Sequence, residues 1–164
     1  MSDPPHSHKQ WCHPTLAGSY DTSEIIDLLE QSDHTEIHVG SDSHKRKGHP
    51  GEWLFANVIC LYTPGKSGSG TYFYRRVVVK KNYRLDLYSR IMEEANQSID
   101  LACSVAAIIT SKKIYVHADT NTDDRYPTAK FTNTIKNWVL SCGFNFLCKP
   151  DSWASSGVAD RHAK

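Results

Sequence analysis

The sequence predicts an α/β fold: one mixed five-stranded sheet with helices on its faces. Three observations lead there. The hydrophobic period switches several times between about 2 and about 3.6 residues. The first three strand-like segments are joined by short links, which makes them antiparallel. Later strand-like segments alternate with helical ones, which lets the fourth strand return parallel to the first.

The 164 residues suffice for one domain with its own core. A hydrophobic content of 39% and a charged content of 23% exclude a disordered chain. The net charge of +1 gives no global attraction to nucleic acid, so any basic patch must be local. The cysteines, at 12, 60, 103, 142 and 148, are odd in number and form no CxxC pair. Cys60, Cys103, Cys142 and Cys148 lie in apolar segments and are expected as reduced core residues of an intracellular, cytoplasmic protein. MSDPPHSHKQ has no apolar h-region, so no signal peptide is expected. The longest apolar run, WLFANVICLY, is too short to span a membrane.

Residues 1–20 are rich in Pro, His and Ser, and are expected as a flexible arm before a single domain over 21–164. His6, His8, Cys12 and His13 could bind a soft metal, but they lack the paired spacing of a zinc site. TSEIIDLLEQ reads as a helix with a Ser/Thr cap and with Ile25, Ile26, Leu28 and Leu29 on one side. EIHVGSDS (36–43) reads as strand one, and KRKGHPG as a basic turn. WLFANVICLY (53–62) is a strand buried on both faces. After the loop TPGKSGSG comes strand three, TYFYRRVVVK (71–80). A long helix follows over about 84–110, then strand four, KKIYVHAD (112–119). A loop closed by Pro127 leads to a helix over about 128–141, with Phe131, Ile135, Trp138 and Val139 on its apolar side and Gly143 as its stop. FNFLCK (144–149) is a short fifth strand, and a last helix starts after Pro150.

In the long helix one face reads Leu87, Ile91, Glu94, Ser98, Leu101, Val105, Ile108. Glu93 belongs to a polar face, but Glu94 interrupts the stripe that seeks the core. A carboxylate is rarely buried unless it is paired, protonated or bound to a metal. The plain alternative is a rim glutamate paired with a Lys or Arg.

Three further acids fall at telling places. Asp42 lies at the C-terminal end of strand one, Asp119 ends strand four, and Asp160 lies in the last helix. Ligands of open α/β sheets sit beyond the carboxyl ends of the strands. Parallel strands one and four place Asp42 and Asp119 side by side, where they repel unless a cation lies between them. Singly, each acid has an ordinary role: turn residue or helix cap for Asp42 and Asp119, partner of Lys164 for Asp160. Together they suggest a hard cation, Mg²⁺ or Mn²⁺, and phosphoryl transfer through two ions. Basic runs at Lys45–Arg46–Lys47, Arg75–Arg76, Lys80–Lys81 and Lys112–Lys113 could meet phosphates. His44, His117 and His162 each lie two residues from one of these acids and could shuttle protons. Tyr72, Phe73, Tyr74 and Tyr83 could stack bases, although strand aromatics are more often core. Ser41 and Ser43 lack a Gly-x-Ser-x-Gly turn, and TPGKSGSG lacks the Walker spacing. No organic cofactor is therefore expected.

The segments IHVGSDSH, RIMEEANQSIDLA and above all GFNFLCKPDSWASSGVADRHAK resemble the YkuK-type proteins of the RNase H-like superfamily, over about 36–164. The resemblance implies an RNase H-like sheet of strand order 3-2-1-4-5 with strand two antiparallel. It implies a two-metal nuclease acting on RNA, DNA or a hybrid and leaving 3′-hydroxyl and 5′-phosphate ends. Asp42, Glu94, Asp119 and Asp160 would be its catalytic, metal-binding acids. Lys149 and Arg161 match the tail motif, as contacts to phosphate or supports of the carboxylates. Ser43 and His44, beside Asp42, are candidate substrate contacts. TNTDDRYPTAK lacks the glycine-bearing link of the pattern and adds Asp123 and Asp124. The alternative function is a non-catalytic module of the same fold that binds nucleic acid or protein.

Overall fold

The computed structural model describes residues 11–66, 70–80 and 85–164. Helix α1 (Thr22–Gln31) is capped by Asp21 rather than by a Ser or Thr. The Asp21 carboxylate accepts from the Glu24 N–H at 2.8 Å, and the Glu24 carboxylate accepts from the Asp21 N–H at 2.8 Å. Ile25, Ile26 and Leu29 are buried, but Leu28 is exposed, because it falls outside the arc those three define.

Strands β1 (Glu36–Lys45), β2 (Glu52–Tyr62) and β3 (Gly70–Lys80) form an antiparallel meander. Helix α2 (Leu87–Ala106) starts on Asp86, whose carboxylate accepts from the Ser89 N–H. It carries the chain over to β4 (Lys113–His117), parallel to β1. Helix α3 (Ala129–Ser141) leads to β5 (Asn145–Leu147), parallel to β4. The sheet order is β3-β2-β1-β4-β5, as expected. Helix α2 is shorter than the pattern suggested, and Ile108, just past its end, is exposed while Ile109 is buried.

Alternation along β1 sets its side chains on two faces. Ile37 and Val39 join the main core with Ile59, Leu61 and the buried stripe of α2, Ile91, Ala95 and Ala102 among it. On the other face Val58 and Cys60 pack against Ala154 and Ala159 of the C-terminal segment. Cys60 is the cysteine that is buried as expected. Cys103 and Cys142 are exposed, and Cys12 and Cys148 are intermediate; all five are free thiols. Cys103 lies on the outer side of α2 and Cys142 caps α3, so an apolar neighbourhood in sequence did not mean a core position.

Residues 11–20 lie against the sheet. Trp11 pairs with Tyr20, and Cys12 with Tyr74 of β3, through reciprocal backbone hydrogen bonds of 2.7–2.9 Å. Trp11 is buried in the main core. His13 Nε2 meets Thr71 Oγ1 at 2.8 Å. His6, His8, Lys81, Tyr83 and the start expected for the long helix lie outside the described residues.

The last helix departs from a regular pattern. Ala154–Ala159 forms a π-helical turn, in which the Asp160 N–H donates to the Ser155 carbonyl, and α4 (Asp160–Ala163) completes it. The extra residue in the turn rotates everything after it, Asp160 included, by about 100° relative to a continuous α-helix. This segment can lie on β1 only because residue 40 is glycine. A Cβ there would sit 2.7 Å from Ser155 Oγ, 2.8 Å from Ser155 N and 3.0 Å from the Ala154 carbonyl carbon. Two of those atoms are backbone and cannot swing aside. Gly40→Ala is expected to lower stability by about 1–3 kcal/mol through overpacking. Urea unfolding checks it, as a lower midpoint at unchanged slope.

Candidate functional site

Strands β1 and β4 stay paired as far as Val39 and Val116. Asp42 and Asp119 each lie three residues beyond that pair, so the two acids sit level past the end of the β1–β4 pairing, Asp42 still paired with Ala56 of β2. Asp42 shares a face with His44. His44 Nε2 lies 3.2 Å from Asp42 Oδ2 and 3.1 Å from Asp160 Oδ1. Donor atoms of these three residues all fall within 4.8 Å of one another. Asp160 also meets Lys164 Nζ at 2.6 Å, the ordinary i to i+4 pairing.

Burial pushes the Asp42 carboxyl up to about 6. His44 opposes that rise, while the hydrogen bond to Asp160 and the charge of Asp119 add to it. Burial also pushes Asp160 up, but its bonds to Lys164, His44 and Asp42 outweigh this and hold it below the usual carboxylate range. The two carboxyls therefore titrate as a pair, with the proton favoured on Asp42.

Glu94 approaches from the opposite face of β1. It is 5% exposed, and its Oε1 accepts from Ser43 Oγ at 2.5 Å. Burial pushes it up to about 8; the Ser43 bond and Arg90 pull it down, and Asp42 and Asp119 push it up. Asp119, in the loop after β4, lies 2.9 Å from Lys149 Nζ through Oδ1. Asp42, His44 and Asp160 thus form one tight group. Glu94 and Asp119 stand outside it, near enough to raise Asp42 or be raised by it.

The remaining candidates separate cleanly. Ser43 is fully buried and spent on Glu94. Lys149 holds Asp119. Arg161 points outward, its Nε donating to the Gly157 carbonyl. His162 stacks on Tyr74 at 3.7 Å between ring centroids and meets Tyr72 Oη, away from the acids. Asp123 binds Arg125 in an exposed loop.

His117 does not face the acids either. Its Nδ1 accepts from the Ala154 N–H at 3.1 Å, which leaves the proton on Nε2, 2.8 Å from His38 Nδ1. His38 Nε2 in turn lies 2.8 Å from Glu36 Oε2. Burial lowers both imidazoles, His117 to about 3. This chain of side chains, roofed by Trp153, ties the start of the π-helical turn to β4. Sequence reading missed it. The signal was there only as three alternate positions of one strand, His38, Gly40 and Asp42, and needed the β1–β4 register to be seen.

A model of the family described as "Ribonuclease H-like" matches residues 22–164. The chain belongs to the ribonuclease H-like family. No curated protein matches it. Among solved structures, this ribonuclease H-like chain is similar to endonuclease V of Ciona intestinalis, in complex with a 24mer DNA containing an inosine followed by a ribo-adenosine. Identity is 15% and the TM-score 0.43, over 76% of this chain and 52% of that one. The chain therefore spans about half the length of that structure. No helix among the described residues is long and apolar enough to cross a membrane.

The donors present suit a hard divalent cation. They are carboxylate oxygens with one imidazole, and no thiolate is among them. Two of the acids, Asp42 and Glu94, are held up by burial and by neighbouring negative charge, which a cation would relieve. Without one, the raised value of Glu94 means that the folded state binds a proton the unfolded state lacks between 4.5 and about 8. That contribution is full below 4.5 and is lost as pH rises through 8. Metal-free Glu94→Gln should therefore gain on the wild type by more than about 1 kcal/mol near pH 9 and by little near pH 4.5. Urea unfolding in EDTA across that range checks it; a pH-independent difference contradicts it.

Proposed function

We propose that the chain is a divalent-metal-dependent nuclease that hydrolyses phosphodiester bonds of nucleic acid. The observation that carries the reading is the gathering of Asp42, His44 and Asp160 near a Glu94 that is buried with its carboxyl pushed up to about 8. Membership of the ribonuclease H-like family supports it. Asp42, Glu94, Asp119 and Asp160 would hold Mg²⁺ or Mn²⁺. Such ions, when bound in pairs, supply an activated water and stabilise charge on the leaving oxygen.

The chain's own residues prepare that site. Ser43 Oγ fixes the rotamer of Glu94. Lys149 orients Asp119. His44 Nε2, between Asp42 and Asp160, is placed to hold a proton at the rim of the pair. Being half exposed, it can exchange that proton with solvent.

One observation favours a second reading, a non-catalytic binding module. Asp119 and Asp160 each already have a lysine, Lys149 and Lys164. Lysines would then replace cations, and nucleic acid would be bound but not cut.

Cleavage of labelled RNA, DNA and hybrid substrates with Mg²⁺ or Mn²⁺, against EDTA, separates the two. Wild type should cut only with metal and leave 3′-hydroxyl and 5′-phosphate ends. Asp42→Asn and Asp119→Asn should stay folded and lose at least about 100-fold in rate, since even residues behind metal ligands cost 10–100-fold. Full metal-dependent activity in both variants would overturn the assignment. Binding without cleavage in the wild type would select the module.

A further inference from the structure

The acid cluster opens at His44 and Lys164 into a groove of about 770 Å³ over the end of the sheet. Lys45, Arg46 and Lys47 line it from the end of β1 and the turn after it, Arg90 from α2 and Lys164 from the residue after α4. Among the described residues, no aspartate or glutamate lines the groove. Arg46 is held by Glu52, and Lys164 by Asp160. Lys45 and Lys47 form no ion pair among the described residues, and the one carboxyl that Arg90 acts on is the buried Glu94, one turn along α2. Lys45 and Arg90 instead lie over the Trp53 ring, with Nζ 5.9 Å and Cζ 5.5 Å from its centroid. One indole thus anchors cations from β1 and α2.

Like charges repel, and a chain of net charge +1 has no compositional reason to collect them in a concavity. Cations gathered in a groove with protein walls focus a positive potential inside it. We propose that the groove is the path of a single-stranded segment of nucleic acid leading to the acids. Its direction rests on the nuclease reading; its binding does not. A strand lying in the groove meets cations from β1, the turn after it and α2, the basic channel that tracks the backbone of single strands. Trp53 is almost covered, so bases meet the Arg90 guanidinium plane rather than bare indole. Lysine and arginine contacts to phosphate carry no base preference.

The test is fluorescence anisotropy in EDTA with the full chain, using a labelled single strand of about 16 nucleotides and its duplex, over a salt series. Wild type should bind the single strand more tightly. The triple variant Lys45→Gln, Lys47→Gln, Arg90→Gln should bind at least tenfold more weakly at low salt. Its slope of log affinity against log salt should fall by about 2, the share of three phosphate contacts. Lys136→Gln, on α3, serves as the charge control and should change nothing. The double variant at Lys45 and Lys47 sits on the exposed end of the hairpin, so it carries the test if the Arg90 change disturbs folding. Tighter binding of duplex, undiminished affinity in both variants, or equal competition by polyglutamate would overturn the proposal. Cleavage assays on the same samples keep the two readings apart. Metal-dependent cleavage by wild type with unchanged binding in the variants sinks the groove and leaves the nuclease. Groove-dependent binding without any cleavage sinks the nuclease and leaves the groove.

Discussion

Glu94 is buried against β1 with a single hydroxyl, Ser43 Oγ, as its bonded partner. Removing a carboxylate from water is costly, and one hydroxyl does not offset it. The group responds as physics allows: its pKa rises until it holds a proton at neutral pH. The Ser43 bond also pins α2 to the end of β1, and so fixes where Arg90, one turn earlier, faces the groove. A glutamate in an apolar stripe is thus costly for the fold, a cost that the proposed cation site would explain.

The opposite face of β1 obeys a different constraint, that of close approach. Gly40 lets the C-terminal segment lie directly on the strand. The His117–His38–Glu36 chain fastens the start of that segment, and the Ser155 hydroxyl donates to the His117 carbonyl at 3.0 Å. The π-helical turn then sets the rotation at which Asp160 emerges. Asp42 and His44, on this face, meet Asp160; Ser43, on the other, meets Glu94. Period-two alternation of one strand therefore distributes the acids around its end.

Much of this was legible in sequence, because it depends on pattern and connectivity. Short links forced the meander, and the long helix forced the parallel return, which brings Asp42 and Asp119 level. Glu94 declared itself by interrupting a stripe in which Ile91, Leu101 and Val105 are buried. What stayed hidden depends on register and local geometry. ASSGVA has no residue that marks a π-helical turn. His44 and His117 each sit two residues from an acid, yet only His44 reaches one, because strand register, not spacing, decides which neighbours a side chain meets. Leu28, Cys103 and Cys142 show the limit of hydrophobic composition at helix edges and ends. The groove, built from three separate elements around Trp53, has no contiguous signature at all.

The central claim is that Glu94 and the acids near it are shaped for a divalent cation. Thermal unfolding with and without Mn²⁺, on wild type and on Glu94→Gln, tests it most directly, because a ligand that binds only the folded state raises its melting temperature. The expected result is a Mn²⁺-dependent rise in the wild type that is lost or sharply reduced in the variant. No rise in the wild type, or an equal rise in both proteins, would contradict the account.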